Sequence, residues 1–348
     1  MAFLQKRIPL PTQIFLLNHL RVMARAGIPM ATALNVLGAH FERKYRADFV
    51  KICATIERGV SLADAFAAHP GFLPSLAVEL IRTGEASGTL EETLAEISTQ
   101  LRKEYEFKTR LRGALLYPTI VIVAMAAIGV LVVTYVLPRL AELFEGVAEL
   151  PLPTRTLLAI AHFSEVYGVP ILASSLIGAA IIIGYARSRR GRPKWDQLIL
   201  RLGPIGHLVR EIHLVRFART LGGLLKADMP MVKSLELTAG TSGNDAYRYA
   251  LITAAASMSR GGTLEQALRK FSTLFPPTAL QLVGVGEATG KLDALLIELA
   301  DFYESDLDRT LQNLTTIIEP ILILIIGIAV AFLAVAILLP LYSIAQVI

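Results

Sequence analysis

Three long stretches without a charged residue constrain the folding of this chain more than any other feature of its sequence. They cover residues 113–138, 166–186 and 320–348 and are rich in leucine, isoleucine, valine and alanine. A helix needs about 20 apolar residues to cross the hydrocarbon core of a bilayer, and buried helices of soluble proteins rarely stay uncharged for so long. The stretches therefore predict three transmembrane helices, and the middle one has the weakest signal because serine and glycine dilute it.

The composition excludes several classes of protein. Of the 348 residues, 54% are hydrophobic and 18% are charged, whereas soluble domains contain about 25% charged residues. Intrinsic disorder is excluded because disordered chains are poor in apolar residues. The single cysteine, Cys53, excludes an intramolecular disulfide and a cysteine-cluster metal site. A net charge of +5 is too small to indicate a nucleic-acid-binding protein.

The distribution of basic residues predicts the orientation of the chain. Five lysine or arginine residues precede the first stretch within 102–112, five follow the second within 187–194, and 137–168 holds two arginines and four glutamates. Basic loops stay in the cytoplasm, and no secretory signal peptide precedes the first stretch, so the N-terminus is expected inside and the C-terminus outside. The resulting layout is a cytoplasmic domain at 1–112, a transmembrane helix at 113–138, an external loop at 139–165, a second transmembrane helix at 166–186, a second cytoplasmic domain at 187–316, a third transmembrane helix at 317–340 and a short external tail at 341–348.

The two cytoplasmic regions contain the same motifs in the same order. Arg58–Leu62 corresponds to Arg260–Leu264, and Gly84–Gly88 corresponds to Gly286–Gly290, each with an offset of 202 residues. A constant offset over more than a hundred residues is the signature of an internal repeat. The predicted fold is therefore all-α, with two duplicated cytoplasmic helical bundles of five or six short helices each and three transmembrane helices.

Local signals predict where individual helices begin and end. Ser61 and Thr263 each precede an acid or amide by three residues, which is the pattern of a capping box at a helix start. Thr89 has the same spacing to Glu92 and follows a glycine that is expected to end the preceding helix. Prolines are expected to mark the ends of the membrane segments, and a proline in the first turn suits a helix start. The entrance prolines are Pro118 and Pro320, and the exit prolines are Pro138 and Pro340.

The repeated glycine-glutamate turns are the candidate functional positions. Glycine suits a tight turn between two helices because such a turn requires a positive φ. Two interpretations of the glutamates stay open. Each orders its own turn by accepting backbone N–H bonds, or the turn lies on a surface that contacts a partner or holds a cation. The positions are Gly84, Glu85, Gly88, Gly286, Glu287 and Gly290.

No pattern in the sequence indicates catalysis. The segment Gly284–Leu292 resembles a phosphate-binding loop but has valine at its required first glycine and leucine after the lysine. No two of the six histidines have the spacing of a metal pair on a helix, and no nucleophile elbow is present. We therefore predict no catalytic residue, cofactor or metal, and no nucleic-acid partner. Three alternatives are a small-molecule transporter, a membrane-bound enzyme and a membrane scaffold; the uncharged stretches disfavour the transporter.

The turns GEASGTL and GEATGKL, each followed by a helix that leads to a Tyr-Pro or Glu-Pro membrane entrance, resemble those of the type II secretion system F family. The resemblance covers residues 12–345 and includes the arrangement of two units and three spans. It implies a multi-pass platform protein of the bacterial inner membrane, with a cytoplasmic N-terminus and a periplasmic C-terminus, in a type II secretion or type IV pilus assembly machine.

The resemblance also implies the partners of the chain. These are a hexameric assembly ATPase, other inner-membrane assembly proteins, pilin or pseudopilin subunits, the lipid bilayer and further copies of the chain. The platform would couple the ATPase to extraction and polymerisation of the subunits without catalytic residues of its own. Some members hold a divalent cation at the first turn with an acid after the second glycine. Here that position is Thr89 in the first turn and Lys291 in the second, so the cation is not expected.

Overall fold

The computed structural model describes residues 8–38, 41–136, 138–139, 151–188 and 191–345, and every regular element within these ranges is helical. The chain is therefore all-α over the described residues, as predicted. The helices are α1 (Leu10–Arg25), α2 (Met30–Gly38), α3 (Arg43–Glu57), α4 (Leu62–Ala67), α5 (Ser75–Ser87), α6 (Leu90–Leu131, followed by a π-helical turn at Val132–Val136), α7 (Leu152–Arg187), α8 (Arg192–Arg201), α9 (Gly203–Lys226), α10 (Met231–Thr241), α11 (Asp245–Met258), α12 (Leu264–Arg269), α13 (Pro277–Thr289) and α14 (Leu292–Ala345).

The chain forms two compact units, each built from two separate parts of the sequence. One unit contains residues 1–110 and 196–307, and the other contains residues 111–195 and 308–348. The sequence predicted two cytoplasmic helical domains, and most of the residues of both belong to the first unit. The apolar parts of α6 and α14, together with α7, belong to the second.

The first half of the first unit has an aromatic and aliphatic core. Phe49 on α3 stacks on Phe41 with ring centroids 4.4 Å apart and lies 5.9 Å from the ring of Phe72. Leucines of α1 and α2 complete this core, and Leu16, Leu20 and Leu34 are fully buried. Burying such side chains contributes roughly 1.5–3 kcal/mol each, so packing holds these short helices in place.

The second half of the first unit is centred on Tyr247 of α11. Its ring contacts Phe275 edge to face at 5.5 Å, and Phe275 contacts Phe217 of α9 at 5.1 Å. The Tyr247 hydroxyl donates to the carbonyl of Leu274 at 2.8 Å. Burial raises the pKa of Tyr247 well above its usual value, so the phenol stays protonated as a donor in this core.

The two halves of the first unit pack directly on each other. Leu224 and Met229 from the second half belong to the core cluster of the first. At the surface, Lys226 Nζ lies 3.2 Å from Glu96 Oε2 and Lys233 Nζ lies 3.7 Å from Glu79 Oε2. The repeat alone does not predict this association, because an internal repeat defines the similarity of two units and not their contacts.

The helices of the second unit expose apolar side chains over long stretches. In α6 these include Ile120 and Val123, and in α14 they include Leu324 and Ile328, each more than half exposed. Among the described residues, one helical segment, Leu90–Val136, is long and apolar enough to cross a membrane, and the apolar helical stretch Pro320–Ala336 is shorter. Exposed apolar surface on this scale marks a site of interaction with other proteins or with lipid.

Three of the prolines that were predicted to mark the ends of membrane segments lie inside continuous helices, and the membrane boundaries themselves stay a prediction. α6 continues through Pro118 and α14 through Pro320, so neither proline starts a helix. The helices persist because a proline removes only one backbone donor, a loss that apolar membrane helices tolerate. Pro138 lies just beyond the π-helical turn that ends at Val136. α14 also continues past Pro340 to Ala345.

A hydrogen bond from α7 explains how α14 continues past Pro340. Proline has no N–H, so the carbonyl of Ala336, four residues earlier, lacks its usual helical donor. The hydroxyl of Thr154 donates to this carbonyl at 2.7 Å, and both residues are fully buried. α7 begins at Leu152, inside the segment 139–165 that was expected to be a loop, because Pro151 and Pro153 favour a helix start there. Residues 140–150 of that expected loop lie outside the described residues.

Candidate functional site

The first glycine-glutamate turn joins α5 to α6. α5 ends at Ser87, and Gly88 adopts a left-handed conformation with φ of +74°. The N–H of Thr89 then donates to the carbonyl of Gly84 at 2.9 Å, which satisfies a carbonyl at the end of α5. No atom lies within 4 Å of the position a Cβ would take on Gly88, so the backbone conformation, not lack of space, favours glycine here.

Gly84 is required for a different reason, the close approach of α5 and α6. A Cβ on Gly84 would lie 2.4 Å from Oγ1 of Thr93 and 2.7 Å from its Cβ. These distances are far below van der Waals contact, so only glycine fits without movement of Thr93. The two glycines of the motif therefore serve separate geometric purposes within one turn.

The carboxylate of Glu85 caps the N-terminus of α4, a helix of only six residues. Its Oε1 accepts from the N–H of Leu62 at 2.6 Å and its Oε2 accepts from the N–H of Ala63 at 2.9 Å. The hydroxyl of Ser61 accepts from the N–H of Asp64 at 3.0 Å, which confirms the predicted serine cap. The free N–H groups of the first turn are thereby satisfied, and the carboxylate charge also interacts favourably with the helix dipole.

An ion pair supports the same cap from α5. Arg82 Nη1 lies 2.7 Å from Asp64 Oδ1, and the Ser61 hydroxyl donates to Oδ2 of the same carboxylate at 2.8 Å. The hydrogen bond from Arg82, followed by that from Ser61, lowers the pKa of Asp64. Asp64 therefore binds these side chains instead of reaching back to the backbone as the capping-box pattern predicts. The sequence contains no local pattern that would indicate the ion pair of Arg82 with Asp64.

The second turn repeats this geometry between α13 and α14. Gly290 has φ of +69°, and the N–H of Lys291 donates to the carbonyl of Gly286 at 3.0 Å. Glu287 accepts from the N–H groups of Leu264 at 2.8 Å and Glu265 at 3.3 Å, at the start of α12. The hydroxyl of Thr263 accepts from the N–H of Gln266 at 3.3 Å, which confirms the predicted threonine cap. A Cβ on Gly286 would lie 2.9 Å from the Cα of Leu292.

The glutamates thus do not order their own turns. Glu85 and Glu287 lie inside α5 and α13, where neighbouring N–H groups are already used by helical hydrogen bonds. Each carboxylate reaches instead to a helix that begins 22–23 residues earlier in the chain. Thr89 also departs from the predicted cap, because its hydroxyl lies 2.7 Å from that of Ser87. Among the described residues, no group of three histidine, cysteine or acidic side chains could hold a metal ion.

The tips of both turns are exposed although their glutamates are half-buried. Residues 86–89 and 288–291 lie at the surface in equivalent positions. Lys291 takes the position of Thr89 and gives the second turn an exposed positive charge. The geometry therefore provides two similar exposed turns that differ in charge, and each lies at the start of a long helix that leads into an apolar segment.

A second feature of interest is a buried carboxyl group on α9. Glu211 is only 4% exposed, and His207 Nδ1 lies 3.2 Å from its Oε1. Burial, and then the neighbouring Asp306 of α14, raises the pKa of Glu211 to about 7. The folded state therefore retains a proton that the unfolded chain releases at lower pH, so the contribution of Glu211 to stability falls as the pH rises from about 4.5 through 7.

We expect Glu211→Gln to stabilise the protein at alkaline pH, because glutamine fills the same space without a buried charge. At pH 8 the gain is expected to reach about 3 kcal/mol, and near pH 4 the two proteins are expected to differ little. Denaturant unfolding of the detergent-solubilised protein at both pH values measures this difference. Glu236→Gln, at an exposed position on α10, is the control and should have little effect; a gain for Glu211→Gln that is independent of pH would contradict the prediction.

A family model and individual known proteins are similar to nearly the same parts of this chain. The family model described as type II secretion system (T2SS), protein F, matches residues 16–138 and 217–340, well over half of the chain. The type IV pilus assembly protein PilC of Thermus thermophilus is 33% identical over 332 residues, which are 94% of this chain and 81% of that protein. The type II secretion system protein F of Pseudomonas aeruginosa is 29% identical over 334 residues, 95% of this chain and 82% of that protein.

Proposed function

The chain belongs to the type II secretion system protein F family, and from this membership we propose that it is the inner-membrane platform protein of a type IV pilus or type II secretion machine. Relatives named for each of these machines align with more than nine-tenths of the chain. This similarity over nearly the full length is the observation that carries the proposal. In this proposal the platform transmits motion between other components.

We propose that three helices cross the bacterial inner membrane, with the N-terminus in the cytoplasm and the C-terminus in the periplasm. The exposed apolar side chains of α6, α7 and α14 support this layout, and so do the basic residues that flank the first two uncharged stretches. We also propose that the two cytoplasmic domains are duplicates. The double match of the family model and the equivalent caps made by Glu85 and Glu287 support a duplication.

The exposed turns are the surfaces that we propose contact the hexameric assembly ATPase. Each turn lies directly before a helix that continues without interruption into an apolar segment, α6 after Gly88 and α14 after Gly290. A displacement of either turn would then act on the helix that follows it. The platform would in this way couple the ATPase to the extraction and polymerisation of pilin or pseudopilin subunits, acting as an oligomer with other inner-membrane proteins.

The proposed function predicts that the detergent-solubilised protein co-purifies with its assembly ATPase and that the turns lie at the contact. To test the contact at the turns, cysteine replaces Ala86 or Ala288 in a background with Cys53→Ser. Each variant is treated with a thiol cross-linker in cells. We expect both positions to cross-link to the ATPase. Val22→Cys, at an exposed position on α1, is the control and should give no such product. Absence of co-purification would contradict the function, whereas co-purification without turn cross-links would contradict only the contact surface.

A further inference from the structure

The helix α8 and the residues just after it carry apolar side chains that are partly exposed in the described part of the chain. Trp195, Leu198 and Leu202 follow each other at intervals of three and four residues, and their exposed fractions are 37%, 50% and 47%. Ile205, in the first turn of α9, is 56% exposed. Within α8, the three-residue spacing places Trp195 and Leu198 on one side of the helix, and Leu202 directly follows its last residue. A grouped apolar surface of this kind indicates an interaction site.

The opposite side of α8 is bound to the helices of the second half of the first unit. Leu200 is buried, and the Asp196 carboxylate accepts from the N–H of Asp245 at the start of α11 at 3.0 Å. Arg210 of α9 donates to the carbonyl of Leu200 at 3.4 Å. These contacts give α8 a defined orientation, so its apolar side does not rotate inward to bury itself.

The charges next to the apolar side indicate what covers it. Lys194 and Arg201 are exposed and lie seven residues apart, so they share one edge of α8 beside Trp195 and Leu198. A helix with an apolar side flanked by lysine and arginine is typical of helices that lie in the headgroup region of a bilayer. Tryptophan is enriched at the same depth because its ring is amphipathic.

The position of α8 in the chain supports the same occupant. α8 begins at Arg192, and α7, the apolar helix that we propose crosses the membrane, ends at Arg187. A linker of four residues reaches at most about 14 Å, so α8 lies within a short distance of the bilayer surface. A basic surface at this location complements the negative charge of the cytoplasmic leaflet.

We propose that α8 lies in the cytoplasmic headgroup layer of the membrane, with Trp195, Leu198 and Leu202 in contact with lipid and with Lys194 and Arg201 bound to anionic headgroups. Asp196 and Leu200 meanwhile keep the other side of the helix bound to α11 and α9. This inference rests on the proposed membrane placement of α7. It assigns a lipid surface as the partner of α8, in place of a second protein.

Trp195 allows a direct test because it is the single tryptophan of the chain. The full chain is reconstituted into vesicles of phosphatidylcholine and phosphatidylglycerol in which the phosphatidylcholine is brominated near the headgroup or near the end of the acyl chain. We expect headgroup-proximal bromine to quench Trp195 fluorescence more strongly than deep bromine, with weak quenching by aqueous acrylamide. Vesicles without phosphatidylglycerol should show weaker bromine quenching and stronger acrylamide quenching.

The charge contribution is tested with the double variant Lys194→Gln and Arg201→Gln. Each lost charge is expected to lower the ratio of membrane-bound to released α8 about five-fold, so the double variant should lower it about 25-fold. The matched control is Arg58→Gln with Arg260→Gln, which removes two exposed arginines from turns elsewhere in the chain and should leave the ratio unchanged.

Three results would overturn the inference. Trp195 could be open to acrylamide and insensitive to both bromolipids, it could be shielded from acrylamide and bromine alike by a protein surface, or it could be quenched most by deep bromine. Alkaline extraction of the same vesicles tests separately whether the chain is inserted in the membrane. A chain that is extracted contradicts the proposed membrane placement of α7. A chain that resists extraction while Trp195 stays open to water contradicts the role of α8 alone.

Discussion

A chain that carries both Glu85→Ala and Glu287→Ala is expected to insert into the membrane normally and to lose most of its capacity to support pilus assembly or secretion. Each substitution leaves two backbone N–H groups without an acceptor at the start of a six-residue helix. Loss of a hydrogen-bonded carboxylate costs roughly 1.5–3 kcal/mol, and a helix this short has few internal hydrogen bonds that could maintain it. The apolar segments that direct insertion are unaffected.

The experiment compares piliation or secretion with the amount of protein that resists alkaline extraction from membranes. Glu85→Gln with Glu287→Gln should give an intermediate loss, because an amide retains only one acceptor oxygen for two N–H donors. Glu92→Ala, which removes an exposed carboxylate from the first turn of α6, is the matched control. Wild-type assembly by the double alanine variant would show that the caps of α4 and α12 are not needed for function.

Gly84→Ala is expected to destabilise the first half of the first unit, although the substitution adds only one methyl group. The new Cβ would lie 2.4 Å from Thr93 Oγ1, so α5 and α6 must separate or Thr93 must move. Overpacking of this kind costs typically about 1–3 kcal/mol. The expected result is a lower midpoint of thermal unfolding for the detergent-solubilised protein, together with weaker assembly activity.

Gly240→Ala is the matched control for this substitution. Gly240 lies inside α10, and no atom lies within 4 Å of the position its Cβ would take. Alanine favours a helix by about 1 kcal/mol over glycine, so this variant should be as stable as the wild type or more so. If Gly84→Ala also raised the unfolding midpoint, the close contact between α5 and α6 would be refuted.

The candidate site was predictable in its positions but not in its contacts. The repeated spacing identified Gly84, Glu85 and Gly88 and their equivalents, because a left-handed glycine and a helix end depend on residues close in sequence. The partners of Glu85 were not predictable, because Leu62 and Ala63 precede it by more than 20 residues and donate through the backbone, so their side chains do not indicate the contact. A backbone N–H at a helix start is a feature of the fold and is not visible in a list of residue types.

The sequence by itself determined the helical class, the uncharged apolar stretches and the caps made by Ser61 and Thr263. These features depend on interactions within a few residues or on the summed polarity of one segment, so local patterns suffice. The tertiary structure alone decided that the two halves of the first unit pack on each other, that the glutamates cap helices formed earlier in the chain, and that Thr154 satisfies the carbonyl freed by Pro340. Each of these depends on groups far apart in the chain, and only the folded packing brings them within hydrogen-bonding or van der Waals distance.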